Sequence, residues 1–589
     1  MKHKPDTTLA APRRIAASDR PEMTSPSDDN RRYKRLTLLF RCAAVAVGVA
    51  ETWAARHSMG ADGTSYLDMG EAYLRGDWRM ALSPHWSPLY SWLLTLGLKV
   101  LKPSSYWEFP AIHLVNLTIY LAALICFEFL LSGLVDYHKR VEGVCVNGLA
   151  ALPDWAWCAI GYTLFIWTSF SLIGLGTVTP DMCVAAFAYL ASGLVVRIRA
   201  GSSARLLFAG LGIALGFGYL AKAIFFPLAF IFLAITFFSV GDPKKATRGV
   251  LLTAAIFLAI AAPFMVALSV SLGRPTFGES GRFNYIGYVD RPDYFRNPPL
   301  VLAHPMKRIH AAPMVFEFSS GVKGAYPLMY NPEYWLEGYA PHFDLKGQLA
   351  ALKASAINLY NFLFLSETGL IAGVIVLFWL SPRPSLSLRA ALTQWHLLVP
   401  AVCVFGAYSL LHVDSRYIAP FVALVWLGIL SGLRLRIGND SRKLIAGVVI
   451  AIVVTMGTPI LSSAFFGFAA GRRSAPVDWQ VARALNQMGI QPGDRVAWFR
   501  RSVWGDFYWA RLARIRIIAE IPDEEVDKFW ASSPSVQAEV MNALKGAGAK
   551  AVITSPDPLR PGYVAVPRGA SAAWHQLGNT DFYAAYVPR

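Results

Sequence analysis

The chain has 589 residues, of which 55% are hydrophobic and only 16% charged, a balance too apolar for a soluble protein of this length. Its formal net charge of +17 raises the question of nucleic acid. The basic residues, however, fall in short clusters between apolar runs, as membrane orientation signals do, which argues against a nucleic-acid partner. Six cysteines, at 42, 126, 145, 158, 183 and 403, lie in or beside apolar runs without C-x-x-C or Cys/His spacing, so neither a disulfide framework nor a zinc site is indicated.

Residues 1–35 are rich in Pro, Ser, Asp and Arg and are expected to form a disordered tail. The cluster Arg31-Arg32-Tyr33-Lys34-Arg35 at its end places that tail in the cytoplasm. The apolar run that follows begins late and lacks a small-residue cleavage site, so the first helix is expected to stay as an anchor. Apolar runs at 36–54, 108–132, 154–174, 182–198, 205–221, 223–240, 249–271, 355–380, 395–411, 418–433 and 444–465 predict about eleven crossings. Lys139-Arg140, Arg197 to Arg205, Lys244 to Arg248, Arg383 to Arg389 and Arg434 to Lys443 fall on alternate connections, which makes those cytoplasmic. A first loop (60–107) and a long loop (272–354) then lie outside, as does the C-terminus. The chain thus reads as a polytopic α-helical membrane protein with a transmembrane domain over 36–470.

In the long loop, the run YPLMYNPEYWLEG at 326–338 carries Tyr330 and Trp335. Such residues suit an aromatic belt at the interface or a platform on which sugars stack, and both readings stand. From 473 to 589 the composition becomes that of a soluble domain. Helical periodicity at 477–489 and 534–547, and strand-like runs at 495–499, 516–521 and 550–555, predict a small α/β layer domain. It has no phosphate-binding glycine motif or nucleophile elbow, and its role is open between shaping the acceptor site and a structural cap.

Residues 60–90, GADGTSYLDMGEAYLRGDWRMALSPHWSPLY, follow the first apolar run directly. Tyr66, Met69 and Tyr73 recur at helical spacing, so Asp62 stands at a helix entrance, where a carboxylate can cap the helix or face a substrate. Asp68, Asp77, Trp78, His85, Trp86 and Tyr90 add more polar and aromatic equipment than a connection needs. Thr179-Pro180-Asp181 suits a helix start, with Thr as cap and Pro as first residue. Lys222, in GFGYLAKAIFFP, ends a helix whose dipole a cation complements, and a phosphate-bearing ligand would also need a cation there. Arg416, in His412-Val413-Asp414-Ser415-Arg416-Tyr417, stands near a helix start, where its charge opposes the dipole. A guanidinium suits phosphate oxygens, and pairing with Asp414 is the structural alternative. Arg282 in the long loop is a further candidate of this kind.

A first transmembrane helix followed by A-D-G-x-S-Y-L-D, then G-D-W and W-S-P-L-Y, resembles the first outer loop of GT-C glycosyltransferases. Within these it is similar to the bacterial branch of protein O-mannosyltransferases and lipid A aminoarabinose transferases. The glycine-rich run ending at Lys222 and the H-x-x-x-R-Y pattern from His412 to Tyr417 fit that branch. The resemblance is strongest over 36–240, weaker to about 465 and absent in the terminal domain. It implies inverting transfer of a sugar from a polyprenyl-phosphate donor to a glycan, lipid or protein acceptor at the outer face of the bacterial inner membrane. No cofactor is obligatory, and a divalent cation is an option. Asp62 matches the catalytic acid of the loop, but many relatives carry two adjacent acids where this chain has Asp62-Gly63, which makes Asp181 the candidate for the missing carboxylate. Lys222, Arg416, His412 and Arg282 would hold the donor phosphate, and Tyr66, His85, Trp86, Tyr330 and Trp335 the substrates. The rival class is a transporter or flippase of lipid-linked sugars. It would place polar residues near the midplane in two repeated halves, whereas here they sit at the outer ends of spans and no repeat is found.

Overall fold

A computed structural model of the chain describes residues 26–141, 149–292, 307–318, 323–327, 339–436, 438–470, 476–500, 507–556, 566 and 573–588. The membrane domain runs α1 (Pro26–Ala54), α2 (Ala61–Arg75), α3 (Trp78–Ala81), α4 (Pro88–Leu101), α5 (Glu108–Val141), α6 (Asp154–Trp167), α7 (Asp181–Arg199), α8 (Arg205–Ala221), α9 (Phe225–Ser239), α10 (Pro243–Leu272) and α11 (Ser280–Tyr285). It continues, past two strands of the long loop, with α12 (Leu345–Tyr360), α13 (Thr368–Trp379), α14 (Pro384–Leu392), α15 (Trp395–Ser409), α16 (Ser415–Ser431) and α17 (Asn439–Ala470). Helix α1 starts at Pro26, suited to a first helical position, so residues 26–35 are helical where a disordered tail was expected.

Every one of the apolar runs falls on helix, but helix length does not by itself carry eleven crossings. Among the described residues six helices are long and apolar enough to span a bilayer, and two further candidates are pairs bent by 66° after Leu365 and by 70° after Leu392. Helices α8, α9 and α16 have 17, 15 and 17 residues, which at about 1.5 Å per residue falls short of a hydrocarbon core of about 30 Å. Helix α7 is buried along most of its length and packs against α5, α8, α9 and α16. Small residues permit such packing: a Cβ on Gly212 would come 2.6 Å from the Thr253 carbonyl oxygen of α10.

Strands β1 (Leu149–Ala150) and β4 (Leu435–Arg436) pair antiparallel beside the membrane helices, and the C-terminal region folds as an α/β layer. Strands β5 (Arg495–Phe499), β6 (Arg516–Ile521) and β7 (Ala551–Thr554) form its parallel centre, in the order β6-β5-β7. Among the described residues the sheet has seven strands, because β2 (Lys307–Ala311) and β3 (Met314–Glu317) from the long loop add antiparallel to β6 on one side, while β9 (Tyr583–Tyr586) and β8 (His575–Gln576) extend the other. The layer is therefore not built from 473–589 alone. Successive side chains alternate faces. Val496, Trp498, Ile517 and Ile553 join the hydrophobic core of the membrane domain. Ala497, Phe499, Ala519 and Val552 form a second core with Val526 and Phe529 of a helix at Asp523–Ala531 and Val540 and Leu544 of a helix at Pro534–Ala547. Both faces are covered, which is why the central strands read as continuous apolar runs.

Candidate active site

Helix α2 starts behind Gly60, whose position makes no side-chain capping bond, and Asp62 lies inside the first turn with its carboxylate free to face outward from the helix. The helix is pressed against the segment leading to α7: a Cβ on Gly63 would stand 2.7 Å from Val178 Cβ. Packing thus leaves no room for a second acidic side chain after Asp62. The same contact brings α2 to the start of α7, where Asp181 is the first helical residue, Pro180 holds the cap position and Thr179 makes no capping bond. Asp181 is 1% exposed, and its Oδ1 accepts from Lys222 Nζ at 2.6 Å. Lys222 follows α8 in extended backbone, with Nζ 3.6 Å from the centre of the Tyr417 ring.

Arg416 joins the two carboxylates. Its Nη1 lies 3.4 Å from Asp62 Oδ2 and 3.7 Å from Asp181 Oδ2, while Nε lies 3.2 Å from Asp414 Oδ2. Asp414 also caps α16 through the Arg416 backbone N–H. Three carboxylates around one guanidinium explain how a cation is tolerated at a helix N-terminus. Asp62, Asp181, Lys222 and Arg416, from four elements separated in sequence by up to 354 positions, all line one cavity of about 420 Å³. Burial raises the Asp62 carboxyl above its ordinary range; Arg416 opposes this, Asp181 adds to it and Lys222 opposes it. A carboxylate so placed binds a proton more readily than one in water.

The walls are aromatic. Tyr66, His85, Trp86, Phe277, Phe283, Tyr288, Tyr408 and Tyr417 line the cavity. Trp86 meets Tyr66 edge-on at 5.1 Å and His85 at 4.3 Å. Burial, with Lys222 assisting, holds His85 down to about 4, so its ring is neutral near pH 7. His412 stacks on Tyr288 with centroids 4.1 Å apart and planes within 4°. Burial lowers its pKa too, and the ring supports the Tyr288 wall of the cavity. Arg282 lines the cavity, half-exposed, with Nη1 3.5 Å from Glu279 and Nη2 3.3 Å from the Tyr339 carbonyl oxygen. Tyr330 and Trp335 lie outside the described residues.

Five of the lining aromatic residues, Phe277, Phe283, Tyr288, Tyr408 and Tyr417, escaped the sequence reading as site residues. Tyr417 adjoins Arg416 and could have been taken with it; Tyr408 stacks on Tyr417 at 5.0 Å from within an apolar run; Tyr288 has no local signal at all. As for a divalent cation, Asp62 and Asp181 offer two carboxylates already facing cations, and among the described residues no group of three His, Cys, Asp or Glu side chains could hold a metal ion.

No protein-family model matches the chain, and no curated protein matches it in sequence. Among solved structures it is similar to ArnT from Cupriavidus metallidurans bound to undecaprenyl phosphate, with 14% identity, 94% of this chain and 98% of that chain covered, and a TM-score of 0.51. The chain shares this fold. Coverage of 94% leaves too few residues for the whole C-terminal layer to fall outside the match, so the likeness in fold extends into the region where no sequence resemblance was found. The Archaeoglobus fulgidus oligosaccharyltransferase in its apo form is a looser likeness, with 12% identity, 88% of this chain and 69% of that chain covered, and a TM-score of 0.46.

Proposed function

We propose that the protein is an inverting glycosyltransferase that moves a sugar from a polyprenyl-phosphate donor to a glycolipid, polysaccharide or protein acceptor at the outer face of the bacterial inner membrane. The observation that carries the reading is the convergence of Asp62, Asp181, Lys222 and Arg416 on one aromatic cavity. The acceptor hydroxyl attacks the anomeric carbon and its proton passes to Asp62. The bond from that carbon to the phosphate oxygen breaks with its electron pair going to the phosphate, whose charge Lys222 and Arg416 stabilise. Asp181 holds Lys222 in place. Because Arg416 pairs with Asp62 in the free protein, a donor phosphate that takes over part of its fork loosens that pair and raises the proton affinity of the base when it is needed. The undecaprenyl phosphate on the similarly folded ArnT supports the donor class.

Purified protein given a polyprenyl-phosphate sugar and an acceptor in detergent is expected to release free polyprenyl phosphate without any sealed membrane. A carrier is the rival, and the two bent helix pairs, with Glu367 buried at one break, are the features that favour it. Those pairs are neighbours in the chain and not counterparts in two halves, as a carrier would have them. Failure of a comprehensive donor set to turn over, alongside movement of lipid in reconstituted vesicles, would decide for the carrier.

The orientation we propose has eleven crossings, the short helices α8, α9 and α16 included, with the N-terminus cytoplasmic and 473–589 outside. In support, Lys139 pairs with Asp154 at 2.5 Å and Arg199 donates to the Thr393 carbonyl oxygen at 3.0 Å. These contacts join the ends of α5 and α7 remote from Asp181 to the start of α6 and the α14–α15 link, a cationic end opposite the cavity. A C-terminal reporter active only in the cytoplasm is expected to stay silent; activity from it would reverse the topology.

A further inference from the structure

Helix α2 carries a second set of carboxylates that the transfer chemistry does not use. Asp68 and Glu71 turn toward the C-terminal layer and meet Arg511, on a short helix at Tyr508–Leu512. Arg511 is 4% exposed and spends all three nitrogens on the membrane domain: Nη1 to Asp68 Oδ1 at 3.0 Å, Nη2 to Glu71 Oε1 at 2.6 Å and Nε to Glu108 Oε1 at 2.9 Å. Arg514 adds Glu71 at 3.0 Å and Glu108 at 2.5 Å. The other oxygen of Asp68 accepts from the Ala325 N–H at 2.8 Å, and the Ala325 carbonyl accepts from the Ile517 N–H of β6 at 3.0 Å. The layer therefore grips α2 by one of its carboxylates from two directions. An apolar docking face alone, which the sheet already has, would not require burying a guanidinium and two nearly inaccessible acids, an arrangement costly in desolvation unless every partner is in place.

We infer that the C-terminal layer is a positioning element for transfer, with Arg511 fixing the setting of α2 and thereby where the Asp62 carboxylate stands against Asp181 and Arg416. The inference rests on Asp62 acting as the base. Asp68 follows Asp62 by six residues, about 9 Å along a helix that moves as a unit. The start of α2 has no side-chain cap; it is held by packing against Val178 and by the Asp62–Arg416 pair, so a shift of the helix passes directly to the Asp62 carboxylate. A displacement of about 1 Å at a reacting group costs on the order of 10²-fold in rate.

The test uses the full chain in detergent with R511Q, R511K and R514Q, read by kinetics and by hydrogen exchange over 61–75 and 181–199. For R511Q we expect kcat about 10²-fold lower and the donor KM within a few-fold, because Lys222 and Arg416 sit on elements that Arg511 does not touch. We also expect faster exchange over 61–75 and unchanged exchange over 181–199, with R511K recovering part of kcat. Unchanged exchange over 61–75, or an activity loss that tracks only the folded fraction, overturns the inference. If R511Q does not fold, R514Q serves: a kcat decrease with faster exchange over 61–75 supports the inference, and wild-type values for both overturn it. If wild-type protein transfers no sugar, it is the proposed function that fails, and the exchange comparison still decides whether Arg511 fixes α2.

Discussion

Asp62→Asn is expected to leave an inserted, folded protein whose transfer rate is about 10³-fold below wild type, within the 10²–10⁴-fold range that a positioned base supplies. Asparagine keeps the shape of the side chain and cannot accept the proton. The fold should tolerate the change, since Asp62 caps nothing and Arg416 keeps Asp181 and Asp414 as partners. The pH profile gives an independent check. The working form of the base is deprotonated, so activity is present above the Asp62 pKa and lost as pH falls through it, and burial places that limb above the ordinary carboxylate range. In the asparagine variant the limb should vanish from the residual rate. Activity within a few-fold of wild type, or a retained limb, would remove Asp62 as the base; single-turnover assays with a labelled donor would measure both.

What could be read in the sequence divides along physical lines. Apolar runs report burial and lipid contact directly, so the helices, and β5 and β6 to the residue, were legible. Asp62, Asp181, Lys222 and Arg416 each have a structural reading at a helix end, and they were legible as candidates through the motifs that carry the family resemblance. That they share a cavity was not, since nothing local states which span ends meet. Gly63 shows the same limit: its contact with Val178 explains the missing second acid, but only once α2 and the start of α7 are seen together. The long loop completing the C-terminal sheet through β2 and β3 was hidden for a like reason, because strand pairing between residues as far apart as Phe316 and Glu520 leaves no periodic trace. Arg511 was not singled out in the sequence, since its three acidic partners come from two other elements far away in the chain.

Arg416→Gln and Arg416→Lys should separate the two things this side chain does. With glutamine, Asp62, Asp181 and Asp414 lose their shared counter-charge and only Lys222 remains, paired to Asp181. Removing one partner from a buried charge pair costs roughly 3–5 kcal/mol, and the value here should fall below that range because Arg416 and Asp62 are 23% and 31% exposed to the cavity. Use of the donor should drop by about 10²–10³-fold in kcat/KM, the scale for losing a donor aimed at developing charge. Lysine restores a positive charge, so stability should largely return. It lacks the planar fork that can bind a carboxylate and a phosphate oxygen at once, and donor use should stay depressed by about tenfold, the loss of one charge-assisted hydrogen bond. The pH profile distinguishes a phosphate contact from the coupling proposed between Arg416 and the base. Arg416 lowers the Asp62 pKa in the free protein, so in Arg416→Gln the rising limb of kcat/KM should move to higher pH. A limb that stays in place while donor affinity falls would leave Arg416 as a phosphate ligand with no hold on Asp62; wild-type donor kinetics in both variants would take it out of the site.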